Sequence, residues 1–375
     1  MLSAKSNIKP TKRTDIIFDV VIIGGCITGV TTAYLLQQMG YKVIIVEFSE
    51  IGFFTSGSYI THVNNYYGSV YFDVIKKLDK QQIVQHNKAG NEGTKLILQL
   101  VKENNIDCDL CMAEGHLFAK NNMENTELEN IKQILTGLDK NKIGAKTFPY
   151  KMSRKADAFT GNEYIINNVK YMTALKQLFL EAGGTVQERA RVLKVDNKQT
   201  KTVFTTRGKV KGRHLVYTPQ TSRVINLKPY NFFPYIYYSV SAELEKGRHG
   251  RGFCYDMEDP SHRFIVTNDS LDKVVICGED HKNVKGRIRS DYFDKLIKML
   301  KRNFKFSDTI LTWSYVYYKN KDGLPVIGPT GDDNTFIAAG YKPDGMVLAA
   351  IGAKIITDLI TTGSSKYESV YKSSQ

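Results

Sequence analysis

Cysteine is scarce in this chain of 375 residues, with five in all, at positions 26, 108, 111, 254 and 277. So few, and an odd number, exclude a disulfide framework and point to a reducing compartment, so a cytoplasmic location is expected. Cys108-x-x-Cys111 has no second cysteine pair and no thioredoxin-like surroundings, and no metal is expected there. No apolar run is long enough to span a bilayer. Residues 1–14 are polar and basic without an apolar stretch, which excludes a secretory leader. Acids are in deficit: 52 Lys and Arg stand against 38 Asp and Glu, a net charge of +14. The bases are dispersed among Asn, Ile and Tyr, so a nucleic-acid partner is not expected. Their clearest cluster is Lys295, Lys298, Lys301, Arg302 and Lys305 at helical spacing, largely opposite Leu296, Ile297, Leu300 and Phe304. It reads as a solvated helix face, with docking of an acidic protein or nucleic acid as the other reading.

What is abundant is ordinary globular material. Hydrophobic residues make up 42% and charged residues 24%, enough for one large or two ordinary domains. The most informative stretch is residues 17–47. Ile17 to Ile23 is an apolar β run, followed by Gly24, Gly25 and Gly29, then an apolar-periodic helix that Gly40 stops. Lys42 to Val46 is a second strand, and Glu47 closes it. This is the layout of a dinucleotide-binding βαβ unit. The glycines permit a tight turn, the helix N-terminus offers N–H groups and a positive dipole end to a diphosphate, and an acid about 20 residues on reaches ribose hydroxyls. The middle glycine position holds Cys26. Its Cβ is either tolerated or weakens the approach to the diphosphate.

The rest of the chain does not continue as βαβ. Residues 70–106 and 124–138 read as helices, and Val169 to Ala182 as a helix closed by Gly183-Gly184. Short strands follow at Thr185–Val195, Thr202–Thr206 and His214–Thr218. Residues 232–280 are strand-rich, 290–305 helical, Ile310–Tyr318 a strand, Thr335–Gly340 a strand and Gly345–Ile360 an apolar helix. The expected fold is α/β. A Rossmann-like unit built from discontinuous segments (16–65, 150–225 and 320–363) carries an inserted mixed or antiparallel β-sheet substrate unit with helices (66–149 and 226–319). An N-terminal arm (1–15) and a C-terminal tail (364–375) flank them.

On these residues the chain resembles the D-amino-acid-oxidase-like family of FAD-dependent oxidoreductases, which includes glycine and sarcosine oxidases. The likeness runs from about Phe18 to Gly363. It is carried by Val21-Ile22-Ile23-Gly24-Gly25-Cys26-Ile27-Thr28-Gly29, by Asp322-Gly323-Leu324-Pro325-Val326-Ile327-Gly328, by Phe336-Ile337-Ala338-Ala339-Gly340 and by Asp344-Gly345-Met346. A closer likeness, to a subgroup often fused to a Rieske iron–sulfur domain, rests on Thr55-Ser56-Gly57-Ser58, Ile106-Asp107-Cys108-Asp109 and Cys277-Gly278-Glu279-Asp280-His281-Lys282. The Cys-x-His and Cys-x-x-His pairs of such a cluster are missing, so that domain is expected to be absent.

The resemblance implies FAD as cofactor. Gly24, Gly25, Cys26, Thr28 and Gly29 would lie along the pyrophosphate and Glu47 on the adenosine ribose. Thr55, Ser56 and Gly57 would follow the diphosphate and flavin edge. Val192 would meet adenine by its backbone, with Thr218 beside it. Gly340, Gly345 and Met346 would sit near the flavin ring, at a helix N-terminus that stabilises negative charge. Residues 341–344 lack the cysteine of covalent relatives, so non-covalent FAD is expected.

Amino acid oxidases of the family usually place an arginine shortly after the tryptophan to clamp a substrate carboxylate. Here the run is Trp313-Ser314-Tyr315-Val316-Tyr317-Tyr318-Lys319, and the arginine position holds Tyr317. An amine without a carboxylate is therefore at least as consistent as an α-amino acid. Tyr315 and Tyr317 are candidates to face the flavin, and His62 and His281 are candidate polar groups. The expected activity is oxidation of a C–N bond of an amine or amino acid by hydride transfer to flavin. Oxygen, a quinone or a separate protein would accept the electrons. Two other readings stay open: a flavoprotein acting on tRNA or another nucleic acid, and a degenerate flavin-free binding protein.

Overall fold

The computed structural model describes residues 16–52, 60–63, 77–119, 126, 156–218, 232–246, 252–256, 258, 260–268, 272–283, 286–321, 323–343 and 345–372. The expected helix at 124–138 and the residues Thr55, Ser56 and Gly57 lie outside that set, apart from residue 126.

The first sheet grows from β1 (Ile17–Ile23), α1 (Ile27–Gln38) and β2 (Val43–Val46). β1 pairs in parallel with β2, Val20 opposite Val43 and Ile23 opposite Val46. Its other neighbour is β9 (Gly208–Tyr217), also parallel. Beyond β2 lies β6 (Thr185–Gln187); beyond β9 come β16 (Thr335–Ala339) and the antiparallel β15 (Val326–Pro329). The hairpin of β7 (Val192–Asn197) and β8 (Lys201–Thr205) joins the N-terminal part of β9. The expected single strand over 185–195 is thus two strands. Arg189, at φ +54°, breaks it, and its N–H bonds the Ser49 carbonyl at 2.8 Å.

Alternation along β1 sorts the cores. Val20 and Ile22 enter the helical core, and Val21 enters the core on the opposite face. The helical side holds α1, α2 (Lys80–Glu103), α3 (Asn168–Glu181) and α5 (Met346–Thr362). Asp79 and Gln82 form a capping box at the start of α2, and Asn167 caps α3. α5 is apolar almost all round because it is enclosed on nearly every side. Gly93 lets α2 approach it: a Cβ there would stand 2.6 Å from the Val347 carbonyl oxygen. The short α6 (Glu368–Tyr371) ties back to α2 through Tyr371, whose hydroxyl lies 3.0 Å from His86 Nδ1. No described helix is long and apolar enough to cross a membrane, which says nothing of strands.

The second sheet runs β14–β10–β13–β12–β11–β4–β5–β3. In chain order these are β3 (Ile60–Val63), β4 (Cys111–Ala119), β5 (Ala156–Asn167), β10 (Phe232–Leu244), β11 (Gly252–Asp256), β12 (Arg263–Asn268), β13 (Asp272–Lys282) and β14 (Phe306–Asn320). All pairs are antiparallel except β11 with β4. β3 and β5 fall in stretches expected for the first unit, yet they hydrogen-bond into this sheet. One face packs on α4 (Ser290–Asn303) through Ile236, Tyr238, Val240, Phe264, Val274 and Ile276 against Leu296, Leu300 and Phe304. That burial leaves Lys298, Lys301, Arg302 and Lys305 in solvent, as a solvated face requires.

Candidate active site

The glycine turn is built by close approach. Gly24 has φ +116°, and a Cβ on it would run into the Thr218 carbonyl and stand 2.7 Å from its hydroxyl. Thr218, at the end of β9, donates its hydroxyl to the Gly24 carbonyl (2.9 Å) and its N–H to Ile23 (3.0 Å). A Cβ on Gly29 would overlap the Gly24 carbonyl oxygen, so α1 rests directly on the turn. Glu47 closes the other side. Its Oε2 accepts from the Gly25 N–H (2.6 Å) and its Oε1 from the Ser49 N–H (2.9 Å). Burial pushes this carboxyl up, and those N–H groups hold against it. The first turn of α1 carries no acidic residue, and the carboxylate held at the glycine turn is that of Glu47 on the Gly25 N–H.

Cys26 is the N-cap of α1 but does not cap with its side chain. Its Sγ lies 3.8 Å from the Thr218 carbonyl oxygen. Burial pushes the thiol up, so it is a neutral packing group. The thiol thus faces the edge of the first sheet at Thr218. Cys26→Gly is therefore expected to bind FAD within about threefold of wild type in a flavin-fluorescence titration. Tightening by tenfold or more would show that the Cβ obstructs the cofactor.

Several of the remaining expected residues fall among the described ones. Val192 begins β7, and the segment before it is held to β2's end by Ala190 N–H donating to the Glu47 carbonyl (2.9 Å). Thr28 is buried at the start of α1. Gly340 has φ +86° with the Phe232 ring packed where a Cβ would be, Gly345 is the N-cap of α5, and Met346 is buried behind it. Tyr341, not anticipated from sequence, joins the two helices. Its hydroxyl lies beside Thr28 of α1, and only the lack of a side chain on Gly352 of α5 makes room for it. The start of α1 thus lies beside the loop that leads into α5.

The other face of the second sheet carries an aromatic cluster. Tyr237, Val275, Cys277, Tyr315 and Tyr317 form one cluster, with Tyr235 and Trp313 against it. Cross-strand rings pair at 5.7 Å (Tyr235–Tyr317) and 5.5 Å (Tyr237–Tyr315). The sheet curls: β3 and β11 would stand about 14 Å apart if flat, yet His62 stacks on Phe253 at 4.9 Å and meets Tyr255 edge-on at 5.3 Å. The Tyr255 hydroxyl hydrogen-bonds the His62 ring. Burial and the Arg263 charge hold His62 well below its usual range, so the ring is neutral. The next residue, Val63, enters the helical core, so β3 stitches the two sheets together.

A bulge in β13 sets the remaining polar groups. Ile236 opposes His281 but Tyr238 opposes Gly278, so β13 carries one extra residue, and Glu279 takes φ +52°. Asp280 is thereby aimed at the tyrosine face, where Tyr317 donates its hydroxyl to it. Burial and that carboxylate push the Tyr317 phenol well up, keeping it protonated. His281 falls on the opposite face, stacked on Tyr238 at 5.7 Å and beside Tyr292 of α4 at 5.1 Å. The structure thus brings His62, Tyr315 and Tyr317 to one face and leaves His281 off it. Arg263, 1% exposed, lies on the tyrosine face too, with Nη2 3.6 Å from Cys277 Sγ and its guanidinium 5.8 Å from the Tyr237 ring centre. Arg263, Tyr255 and Asp280 were not anticipated. The one local signal was an arginine heading the apolar run Arg263–Val266.

On the α4 side, His262 sits among three acids. Its Nδ1 is 2.7 Å from Asp256 and 3.3 Å from Glu258, and its Nε2 is 3.3 Å from Glu279, which Lys295 also holds at 2.7 Å. These partners outweigh burial and raise His262 to about 10. The cluster is an ion-pair network with the imidazolium as its central cation. All five cysteines are free, and burial pushes Cys108 up to about 11, which suits packing rather than thiolate chemistry.

Known proteins resemble this chain in sequence and in fold. The family model described as DAO, FAD dependent oxidoreductase, matches residues 19–359. YhfW of Bacillus subtilis (strain 168), named as a Rieske 2Fe-2S iron-sulfur protein, is 23% identical over 98% of this chain and 73% of its own length. Gamma-glutamylputrescine oxidoreductase of Escherichia coli (strain K12) is also 23% identical, over 96% of this chain and 87% of its own. Among solved structures, L-proline dehydrogenase from P. horikoshii superposes with a TM-score of 0.78 at 18% identity, covering 95% of this chain and 96% of its own. Glycine oxidase from Geobacillus kaustophilus gives 0.78 at 14% identity, covering 93% and 96%.

Proposed function

The chain belongs to the DAO family of FAD-dependent oxidoreductases, and from that premise we propose that it oxidises a C–N bond of an amine or amino acid. The first sheet with its helices serves as the FAD unit and the curled second sheet as the substrate unit. The residues fit the cofactor: Gly24 and Gly29 sit where a Cβ would collide, Glu47 presents carboxylate oxygens beside the turn, and the N-terminus of α1 opens onto it. Bound FAD would supply the acceptor for the electron pair.

The observation that carries the reading is the tyrosine face with Asp280 at its rim. Aromatic faces and one carboxylate attract an alkylammonium group and hold it over a water-poor surface. The Tyr317 phenol stays protonated, and His62 is held neutral and hydrogen-bonded to Tyr255 on the same face. The names of the relatives, a polyamine-derivative oxidoreductase, a proline dehydrogenase and a glycine oxidase, lie within the same chemistry. Oxygen, a quinone or a separate protein would then reoxidise the flavin.

The test is an absorption spectrum of the purified protein, then anaerobic addition of amines and amino acids. Bands near ~370 and ~450 nm, released by heat as free FAD and bleached by at least one such compound, are expected. A loaded protein that no amine or amino acid bleaches would overturn the substrate class.

A further inference from the structure

The surplus of positive charge gathers on one part of the fold. Residues 189–213 carry nine Lys and Arg against one acid, Asp196, and they build the antiparallel meander of β7, β8 and the start of β9. Val192, Val203 and Val210 turn one face of that meander into the core on the far side of the first sheet. Alternation sends the basic side chains the other way. Lys194, Phe204 and Lys209 stand in one row across the three strands, and Asp196, Thr202 and Lys211 in the next. Lys198 and Arg207 occupy the two hairpin turns, both exposed. Acids answer only part of this charge: Asp196 lies 3.5 Å from Lys198, Asp19 lies 2.6 Å from Arg213, and Glu50 pairs with Arg189. Arg191, Lys194 and Lys209 are exposed and have no carboxylate partner among the described residues.

Two large apolar side chains lie among these bases. A bulge between Val192 and Lys194 leaves Leu193 62% exposed on β7, and Ile17, opposite Lys211 at the start of β1, is 46% exposed. In the strand order β7–β8–β9–β1 they bracket the basic rows. Phe204, the aromatic within those rows, is covered by the Lys209 ammonium at 5.1 Å from its ring centre, so it offers no open face for a nucleobase to stack on. Unpaired ammonium groups flanked by exposed aliphatic side chains suit a bilayer surface. The cations meet anionic headgroups, and the aliphatic groups reach the acyl boundary beneath them.

We propose that the outer face of the β7–β8–β9 meander docks the protein peripherally on an anionic lipid surface. This is independent of the C–N oxidation reading, since no residue of the meander belongs to the tyrosine face.

The test sediments the FAD-loaded protein with vesicles of phosphatidylcholine, with and without phosphatidylglycerol. Wild type is expected to bind only the vesicles that contain phosphatidylglycerol, and to be released as salt rises from about 0.05 to about 0.5 M. K194Q/K209Q removes two unpaired cations from the face and is expected to weaken binding by about 10- to 30-fold, at about fivefold per basic residue. K298Q/K301Q removes the same charge from α4, on the second sheet, and is expected to stay within about twofold of wild type. L193S is expected to weaken binding by about threefold to tenfold at low salt. All five positions are exposed, and thermal melts with flavin content show that each variant is folded. A wild type that ignores phosphatidylglycerol would overturn the proposal. So would equal losses in the two double variants, which would reduce the effect to net charge. Anisotropy with a labelled single-stranded RNA runs in parallel. RNA binding that K194Q/K209Q weakens, in a protein that leaves the vesicles in the pellet alone, would assign the face to nucleic acid and overturn the lipid reading.

Discussion

Replacing Gly29 with alanine is expected to abolish retention of FAD and to destabilise the fold by about 2–3 kcal/mol or more, because overpacking here meets backbone. The new methyl would overlap the Gly24 carbonyl oxygen, and no flexible side chain lies between them that could move aside. Relief requires α1 to lift off the turn. That movement carries the helix N-terminus away from the diphosphate and strains the hydroxyl bond from Thr218 to Gly24. Affinity for FAD is expected to fall by at least about 100-fold, measured by flavin-fluorescence titration, alongside thermal melts with and without added FAD. Cys26→Gly, three residues away, is the control, since its thiol is turned toward Thr218. A G29A protein that binds FAD as wild type does would remove the glycine turn from the cofactor site.

The second large effect is expected in stability rather than in cofactor binding. His262→Gln removes the central cation from among Asp256, Glu258 and Glu279. Asp256 is fully buried and loses its cationic partner, while Glu279 keeps Lys295. Breaking a buried pair from one side costs about 3–5 kcal/mol. The sign of the pH dependence follows from the direction of the shift. His262 titrates at about 10 in the fold against an ordinary value of 6.5. Its contribution is therefore complete below the unfolded value, declines as pH rises above it, and is gone above about 10. Chemical denaturation of wild type and H262Q across pH should show a gap widest near pH 6 that closes on the alkaline side. A gap constant from pH 6 to 10 would mean that His262 is held neutral and the network is something other than an ion-pair cluster.

Much of the fold could be read from local patterns. The glycine turn, its helix and the acid after β2 lie within a stretch of about 30 residues, and their spacing alone defines a βαβ unit. The amphipathic α4 was equally legible, with Leu296, Leu300 and Phe304 buried and the lysines outside. Harder were β4 and β5, where polar and charged residues such as Glu114, His116 and Glu163 interrupt the apolar alternation. In a curled sheet both faces are enclosed, so the period-2 signal of a half-solvated strand is lost.

The site itself divides along the same line. Tyr315 and Tyr317 could be placed on one strand face by counting, because alternation is a local property. His281 could not, because the extra residue in β13 shifts the alternation and sends Asp280 rather than His281 to the tyrosines. Thr218 contacts Gly24 across 194 positions of sequence, and Tyr255 meets His62 across 193. Sequence by itself determined that a dinucleotide unit opens the chain and which cofactor chemistry follows from its family, since glycine conformation, helix periodicity and strand alternation act over a few residues. Only the tertiary structure decided that Arg263, Asp280, Tyr255 and Tyr341 belong with them. Strand order, sheet curl and one bulge arise from packing between distant segments, and no spacing along the chain encodes that packing.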